Sequence, residues 1–273
     1  MGYQIGFIGG GNMADAIIAR MVQAGWLGSS IHVVDKNKEK LDAMQERYGA
    51  TVHEAFGPWI GEMDAVLLAV KPQQLGEVLR DIRTHLTNAL VISIAAGFET
   101  KDLMRLADNK RVIRCMPNTP VRIGEGVCGL YATEAANNPE DHKFAVKVFA
   151  CCGEVIWCDD EAMLEGITAV SGSGPAYVFR FIEALETAAK RYGFNEAQAS
   201  RLAVATVLGA AKLAKNSTDS AATLRAKVTS KGGTTYEALK VMDEHHFIDM
   251  MQEAMDACKK RSRELGEEFG KNA

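Results

Sequence analysis

No stretch of the 273-residue chain is apolar for long enough to cross a membrane. The longest nearly unbroken run, Leu202 to Ala211, falls well short of the ~18 or more residues that a spanning helix requires. The start of the chain has no basic segment followed by an apolar signal region. It enters an apolar strand directly, so no export signal is expected and the cytoplasm is the expected compartment. Positive charge does not dominate: 31 Lys and Arg against 35 Asp and Glu leave a net charge of −4. No dense basic run with interleaved aromatics occurs, so neither nucleic acid nor a membrane is an expected partner. Six cysteines, at positions 115, 128, 151, 152, 158 and 258, form no CxxC pair and have no histidines at zinc spacing. They read as small buried hydrophobes of a reducing compartment, and no metal is expected. Cys151 and Cys152 are adjacent, yet no basic group is foreseen beside them to lower a thiol pKa, so no redox role is expected. A Gly-, Ser- or Pro-rich linker is lacking too, which predicts firm packing between the parts of the chain. What remains, 47% apolar residues, fills a real core.

Glycine is concentrated where it is informative. Tyr3 to Ile8 reads as a short apolar strand running straight into Gly9, Gly10 and Gly11, followed by Asn12, Met13 and Ala14. Gly9 permits a tight turn, Gly11 lets a pyrophosphate approach the backbone with no Cβ in the way, and the small Ala14 lets a helix lie close on the strand. The helix N-terminus would then carry the phosphates on free N–H groups and the positive end of its dipole. Glycine-rich turns join strands to helices in many folds, so the register has to decide. Asp15 to Gly25 is helix-like, Ile31 to Val34 is a second strand, and Asp35 ends it about 20 residues beyond Ala14, where the dinucleotide fingerprint expects an acid on the ribose 2′-hydroxyl. Lys36, Asn37 and Lys38 follow, with donors that could instead neutralise a 2′-phosphate.

Further along, Asp64 to Val70 is a buried strand ended by Lys71 and Pro72, which puts Lys71 at the carboxyl edge where parallel sheets bind ligands. Leu90 to Ile94 and Arg111 to Cys115 are further strands, delivered into Ala95-Ala96-Gly97 and Met116-Pro-Asn-Thr-Pro120. A weak strand near Thr51 and two later ones, Gly126 to Tyr131 and Val155 to Trp157, complete the set, with a helix opening near Pro139. Alternation of strands and helices predicts an α/β fold, a Rossmann-like doubly wound, mostly parallel sheet over residues 1–160. From Glu161 the pattern is helical only, predicting an all-α domain over residues 161–273. Within it, only Arg201, Thr206, Lys212 and Lys215 interrupt the apolar and small residues from Arg201 to Lys215. A helix apolar nearly all round must be covered on all sides, which predicts an intertwined homodimer.

Two turns of the helical half are candidate ligand sites. Ser171-Gly-Ser-Gly-Pro175 precedes a helix, with Ser173 as its cap and Pro175 at the first helical position, and reads equally as a plain capped turn. Thr229-Ser-Lys-Gly-Gly-Thr-Thr235 opens a helix beginning near Tyr236, so that backbone N–H groups and the hydroxyls of Ser230, Thr234 and Thr235 can converge on a small carboxylate.

Six motifs in order along the whole chain carry a resemblance. Phe7-Ile-Gly-Gly-Gly-Asn-Met13, Ala69-Val-Lys-Pro72, Ser93-Ile-Ala-Ala-Gly97, Met116-Pro-Asn-Thr-Pro120, Ser171-Gly-Ser-Gly-Pro-Ala-Tyr177 and Gly232-Gly-Thr-Thr235 together resemble pyrroline-5-carboxylate reductase, the last enzyme of proline biosynthesis. The resemblance implies hydride transfer from NADPH, with NADH possible, to the C=N bond of 1-pyrroline-5-carboxylate, giving L-proline. It implies that Ala69, Val70, Lys71, Pro72, Ala95 and Ala96 line the cofactor together with the glycine turn, with Asn118 near the nicotinamide. On the substrate side it points to Glu161 and to Ser230, Gly232, Gly233, Thr234 and Thr235. Thr235 would then contact the substrate nitrogen, and Glu161 would hold the substrate or its positive charge. Homodimers or rings of dimers are implied as well. Two departures stand out: Lys231 replaces the family's usual proline, and Asp219-Ser-Ala-Ala222 replaces its acid-His-Pro-Gly stretch. A related imine reductase or a β-hydroxyacid-type dehydrogenase is the competing enzyme, but the latter needs a lysine base that Met163 to Val170 lacks. A cofactor-sensing binding protein without turnover is the non-enzymatic alternative.

Overall fold

The computed structural model describes residues 2–86 and 88–271. Eight strands make one sheet: β1 (Ile5–Ile8), β2 (Ile31–Val34), β3 (Thr51–His53), β4 (Ala65–Leu68), β5 (Leu90–Ser93), β6 (Val112–Pro117), β7 (Gly126–Ala132) and β8 (Gly153–Trp157). Their order is β3-β2-β1-β4-β5-β6-β7-β8. Every pairing is parallel except β6 with β7. The chain steps from β1 to β2 on one side and later returns to β4 on the other, so the sheet reverses its order at β1 and β4. Such a reversal opens a crevice at the carboxyl ends of those strands.

Both faces of the sheet are covered, which is why its central strands are apolar without alternation. Ile5, Phe7, Ile31, Val33, Leu67 and Ile92 point to one core together with α1 (Asn12–Gln23), α2 (Lys38–Tyr48) and α5 (Pro139–Phe149). Ile8, Val34, Val66, Leu68 and Val91 point to the other, under α3 (Pro72–Ile82) and α4 (Thr100–Ala107). On that second face, towards the edge strand, Trp59 lies over Gly6, where an added Cβ would come within 3.2 Å of its ring. His53 stacks on Trp59 with ring centroids 3.9 Å apart, and its Nε2 is 3.0 Å from His32 Nδ1.

Burial pushes both imidazoles below their ordinary pKa, helped at His53 by the His32 ring and opposed at His32 by Glu62. The native state therefore prefers both rings neutral, and the unfolded chain binds more protons as the pH falls below about 6.5. The stability they contribute is complete above that pH and is lost towards the lowered native values. Thermal unfolding at about pH 7.5 and about pH 5.5 should show a lower Tm at the acid value. The drop should shrink in His53→Phe, which keeps the stack on Trp59. An unaltered drop in that variant would place the titration elsewhere.

After β8 the chain turns helical. α6 (Met163–Ile167) runs into a wide π-helical turn (Thr168–Gly172). α7 (Gly174–Arg191), α8 (Glu196–Lys215), α9 (Ala221–Lys227), α10 (Thr234–Glu244) and α11 (Phe247–Lys271) follow. Two compact units result: the chain up to Ser173 together with the segment from Cys258, and Gly174–Ala257. α6 belongs to the first unit because it packs on the sheet. An added Cβ on Gly129 of β7 would lie 2.7 Å from Ile167, and Leu164 and Ala169 are buried. Among the described residues no helix is long and apolar enough to cross a membrane.

Candidate active site

Backbone geometry explains the first and last glycines of the first turn. Gly9 has φ +104°, and a Cβ there would come within 2.9 Å of the Ala69 carbonyl, so this glycine lets the turn press against the end of β4. Gly11 is different. It is the extended N-cap of α1 (φ −74°, ψ 177°), and the nearest atom to an added Cβ would be Ala69 O at 3.9 Å. The space before it is open, no side chain caps α1, and the first helical bond runs from Asp15 N to Gly11 O. The N–H groups of Asn12, Met13 and Ala14 thus lack helical acceptors, as an anion site requires. A cradle that a Cβ would fill, behind an uncapped helix start at the sheet's reversal, fits the pyrophosphate of a dinucleotide.

Asp35 ends β2 with both carboxylate oxygens engaged: Oδ2 accepts from Gly10 N and Oδ1 from Asn37 N, each at 2.8 Å. It braces the glycine turn. Asn37 caps α2 by accepting from Lys40 N, Lys38 pairs with Glu54 at 3.5 Å across an exposed surface, and Lys36 is exposed. At the neighbouring strand ends, Ala69 and Val70 are half-buried, Lys71 is the exposed N-cap of α3 with Pro72 at its first position, and Ala95 is buried beside the exposed Ala96. Gly9, Gly10, Gly11, Ala69, Val70, Lys71, Pro72, Ala95 and Ala96 therefore share one edge of one sheet.

Asn118 follows β6 and is buried. Its Nδ2 donates to Ser171 O at 2.9 Å and its Oδ1 accepts from Val127 N at 2.8 Å, so the side chain ties the Met116–Pro120 loop to β7 and to the wide turn. Ser171-Gly-Ser-Gly-Pro175 is not an open capped turn. It continues α6 as the π-helical turn, closed by Ser173 N bonding to Thr168 O, five residues back. The hydroxyls explain this: Thr168 Oγ1 and Ser171 Oγ donate to the carbonyls of Leu164 and Ile167, and Ser173 Oγ meets Cys258 Sγ at 3.2 Å instead of capping α7. Pro175 is the second residue of α7.

Glu161 is surrounded by donors. Oε1 accepts from Thr100 N at 2.7 Å and from Arg114 Nη1, and Oε2 accepts from Thr100 Oγ1 at 2.6 Å. Its carboxylate pins the start of α4 and the middle of β6 to the segment before α6, which is the arrangement of a brace. Arg114 and Thr100 were missed in the sequence, although a signal existed: a lone arginine inside an apolar strand needs a buried anion. One expectation fails outright. A basic group does stand beside the vicinal cysteines, because Arg20 Nε donates to the Cys151 carbonyl at 2.9 Å. The Cys152 thiol, and secondarily Arg20, hold Cys151 below the ordinary thiol range, while its hydrogen bond to Cys151 and burial push Cys152 up.

In the second unit, Ser220 caps α9 by accepting from Thr223 N, and Asp219 pairs with Lys227. The following turn is shaped locally. Thr229 Oγ1 donates to Arg225 O, Gly232 takes φ +72°, and Gly233 N donates to Ser230 O at 3.0 Å. A Cβ on Gly233 would strike Ser230 Oγ at 2.5 Å. α10 opens at Thr234, two residues before the expected Tyr236, because Gly233 is already its extended N-cap. No side chain caps it, so the N–H groups of Thr234, Thr235 and Tyr236 at its start have no helical acceptors. Lys231, Thr234 and Thr235 are exposed. No group of metal-ligating side chains that could hold an ion occurs among the described residues.

A family model described as pyrroline-5-carboxylate reductase dimerisation matches residues 161–265, and one described as NADP oxidoreductase, coenzyme F420-dependent, matches residues 4–97. The pyrroline-5-carboxylate reductase of Haemophilus influenzae is 41% identical over 265 residues, covering 96% of this chain and 97% of its own. A solved pyrroline-5-carboxylate reductase from Coxiella burnetii superposes with a TM-score of 0.92 at 36% identity, covering 96% and 98% of the two chains. The Plasmodium falciparum pyrroline carboxylate reductase, solved with NADP bound, gives 0.84 at 27% identity, covering 97% and 98%. With relatives of this identity aligned over nearly the whole length of both chains, the protein belongs to the pyrroline-5-carboxylate reductase family of oxidoreductases.

Proposed function

We propose that the protein reduces 1-pyrroline-5-carboxylate to L-proline with NADPH, in the cytoplasm, as the last step of proline biosynthesis. The observation that carries this reading is the open cradle before Gly11 at the uncapped start of α1, in a chain of this family. The nicotinamide supplies the hydride that the C=N carbon accepts. The protein's own contribution is placement. The imine nitrogen is basic enough to arrive protonated, so no strong acid is needed, and orienting the two carbons accounts for most of the advantage. The first-turn N–H groups of α10, with Ser230, Gly232, Gly233 and Thr234, hold the substrate carboxylate, and Lys231 adds a cation beside it. The Thr235 hydroxyl meets the substrate nitrogen. Glu161, committed to Thr100 and Arg114, acts by holding the start of α4 and the middle of β6 in place. A substrate panel tests the assignment: NADPH oxidation should be fast with pyrroline-5-carboxylate, slower with six-membered cyclic imines and absent with 2-keto acids. Preference for a 2-keto or 3-hydroxy acid would support the dehydrogenase reading, and binding without turnover the sensor.

The working form is a homodimer, or a ring of dimers, joined through the second unit. Only Ala199 and Ala203 of α8 are buried, while Leu208 and Leu213 are 52% and 70% exposed. A groove of about 680 Å³ lined by Tyr177, Phe181, Val207, Phe247, Met250 and Met251 is open beside them. So much unpaired apolar surface marks an obligate partner, and a second copy of this chain fits the dimerisation module it belongs to. Light scattering at low micromolar concentration should give at least twice the 29.6 kDa chain mass. Leu208→Glu with Leu213→Glu should lower that mass or leave the protein insoluble. A stable wild-type monomer would sink the claim.

Cofactor choice is a balance. Asp35 repels a 2′-phosphate but spends both oxygens on backbone N–H groups, and Lys36 with Asn37 offers donors nearby. An exposed lysine gains about 1 kcal/mol with a phosphate at ~4–6 Å, roughly what the carboxylate costs at the same range. Dual use with a modest NADPH preference is the expected result. In specificity constants, Asp35→Ser should move the ratio towards NADPH and Lys36→Ala back. A wild type favouring NADH by more than about tenfold, a difference of ~1.4 kcal/mol, would show that Asp35 governs alone.

A further inference from the structure

We propose that the last turns of α11 are a positioning clamp on the nucleotide site, holding the loop after β5 in the shape the cofactor meets. The proposal rests on the reading of Ala95 and Ala96 as cofactor-lining residues. Its geometric basis is an interlock between two segments far apart in sequence. Gly97 takes φ +86°, and a Cβ there would come within 2.7 Å of the Phe269 ring and 3.4 Å of the Leu265 carbonyl. Across the contact, a Cβ on Gly266 would lie 3.3 Å from Gly97 O. Each backbone therefore approaches the other at a glycine, a fit that tolerates no side chain on the loop and little on the helix.

Side chains reinforce the contact. Phe98 is 1% exposed and stacks nearly parallel to Phe269, with centroids 6.3 Å apart, and Phe269 packs on the core under α3 and α4. One turn earlier, Arg263 donates from Nε and Nη2 to both oxygens of Glu165, at 3.3 and 2.8 Å, which fixes the helix on α6. Within the loop, Ala95 N donates to Ser93 Oγ across a long 3.3 Å. A glycine free to take many conformations and an amide on a long bond hold one shape when an outside contact limits them, and the helix end does so here. Hydride transfer is sensitive to ångström-scale misplacement, so a loop at the carboxyl end of β5 must be fixed. Neither Phe269 nor Gly266 needs to touch the cofactor to matter.

Hydrogen exchange on the nucleotide-free enzyme, followed by NADPH titration and steady-state kinetics, tests the proposal. Phe269→Ala should accelerate exchange of the amides from Ala95 to Phe98 about tenfold and raise the NADPH Kd roughly three- to thirtyfold, with the KM for the imine little changed. Phe269→Leu should restore most of both. Gly266→Ala, which favours the helix but presses on Gly97 O, should raise the Kd for NADPH without lowering Tm. Exchange and Kd both within about twofold of wild type in folded Phe269→Ala overturn the clamp. So does faster exchange with unchanged Kd, which would confine the contact to local packing. A wild type that binds neither nucleotide is a separate result: it refutes the functional reading, while loop exchange still reports on the contact.

Discussion

Replacing Gly11 with valine abolishes cofactor binding and leaves the fold intact: this is the largest effect expected of any single change in the first unit. The two halves of that statement have separate causes. The fold survives because Gly11 already has an extended backbone that valine adopts, and its Cβ would meet only Ala69 O, at an ordinary 3.9 Å. Binding fails because the branched side chain projects into the space where a pyrophosphate must come against the free N–H groups of α1. Loss of that anion contact should weaken NADPH by at least ~100-fold, about 2.7 kcal/mol. Gly9→Val is the contrasting control. With φ +104° and a Cβ 2.9 Å from a backbone oxygen, it should fail to fold properly. Calorimetric titration of both nicotinamide nucleotides, beside thermal unfolding, checks the pair. A folded Gly11→Val protein with wild-type affinity would remove the glycine turn from the cofactor site.

The second large effect belongs to Thr235→Ala. Turnover should fall about 10²-fold, the scale seen when one donor aimed at a reacting centre is lost, while NADPH affinity stays near wild type. A capping role cannot produce this result, since the N-cap of α10 is Gly233 and Thr235 is the helix's second residue. Alanine there should leave stability unchanged or slightly raised, because it is the better helix former. Thr235→Ser should recover most of the rate by restoring the hydroxyl. Rates for Thr235→Ala within about twofold of wild type would show that the hydroxyl does not meet the substrate nitrogen.

How much of this was legible in the sequence follows the range of the interactions. β2 stands where Ile31 to Val34 was expected, and α5 opens at Pro139, because buried runs and helix-start prolines are local signals. The glycine turn was readable for the same reason: strand, small residues, helix and acid lie within one βαβ unit. The start of α10 was set two residues late because nothing local says that Gly233 is extended. Ser171 to Pro175 looked like a turn, since glycine, serine and proline usually break helices, yet hydroxyls bonding back to Leu164 and Ile167 carried the helix through. The contacts of Glu161 with Thr100 and Arg114, and of Arg20 with Cys151, join residues separated by 61, 47 and 131 positions, and no local pattern foretells them. The exposed flank of α8 was legible in its composition, because a helix apolar nearly all round cannot be wrapped by so few helices of its own unit.

The most direct test of the central claim is product stoichiometry. The purified protein is given NADPH and 1-pyrroline-5-carboxylate, and cofactor consumption is followed by absorbance while L-proline is measured by chiral chromatography. One L-proline formed for each NADPH oxidised, with neither change when the imine is omitted, is the predicted result. NADPH left unconsumed by the folded protein at saturating imine, or consumed without proline appearing, would contradict it.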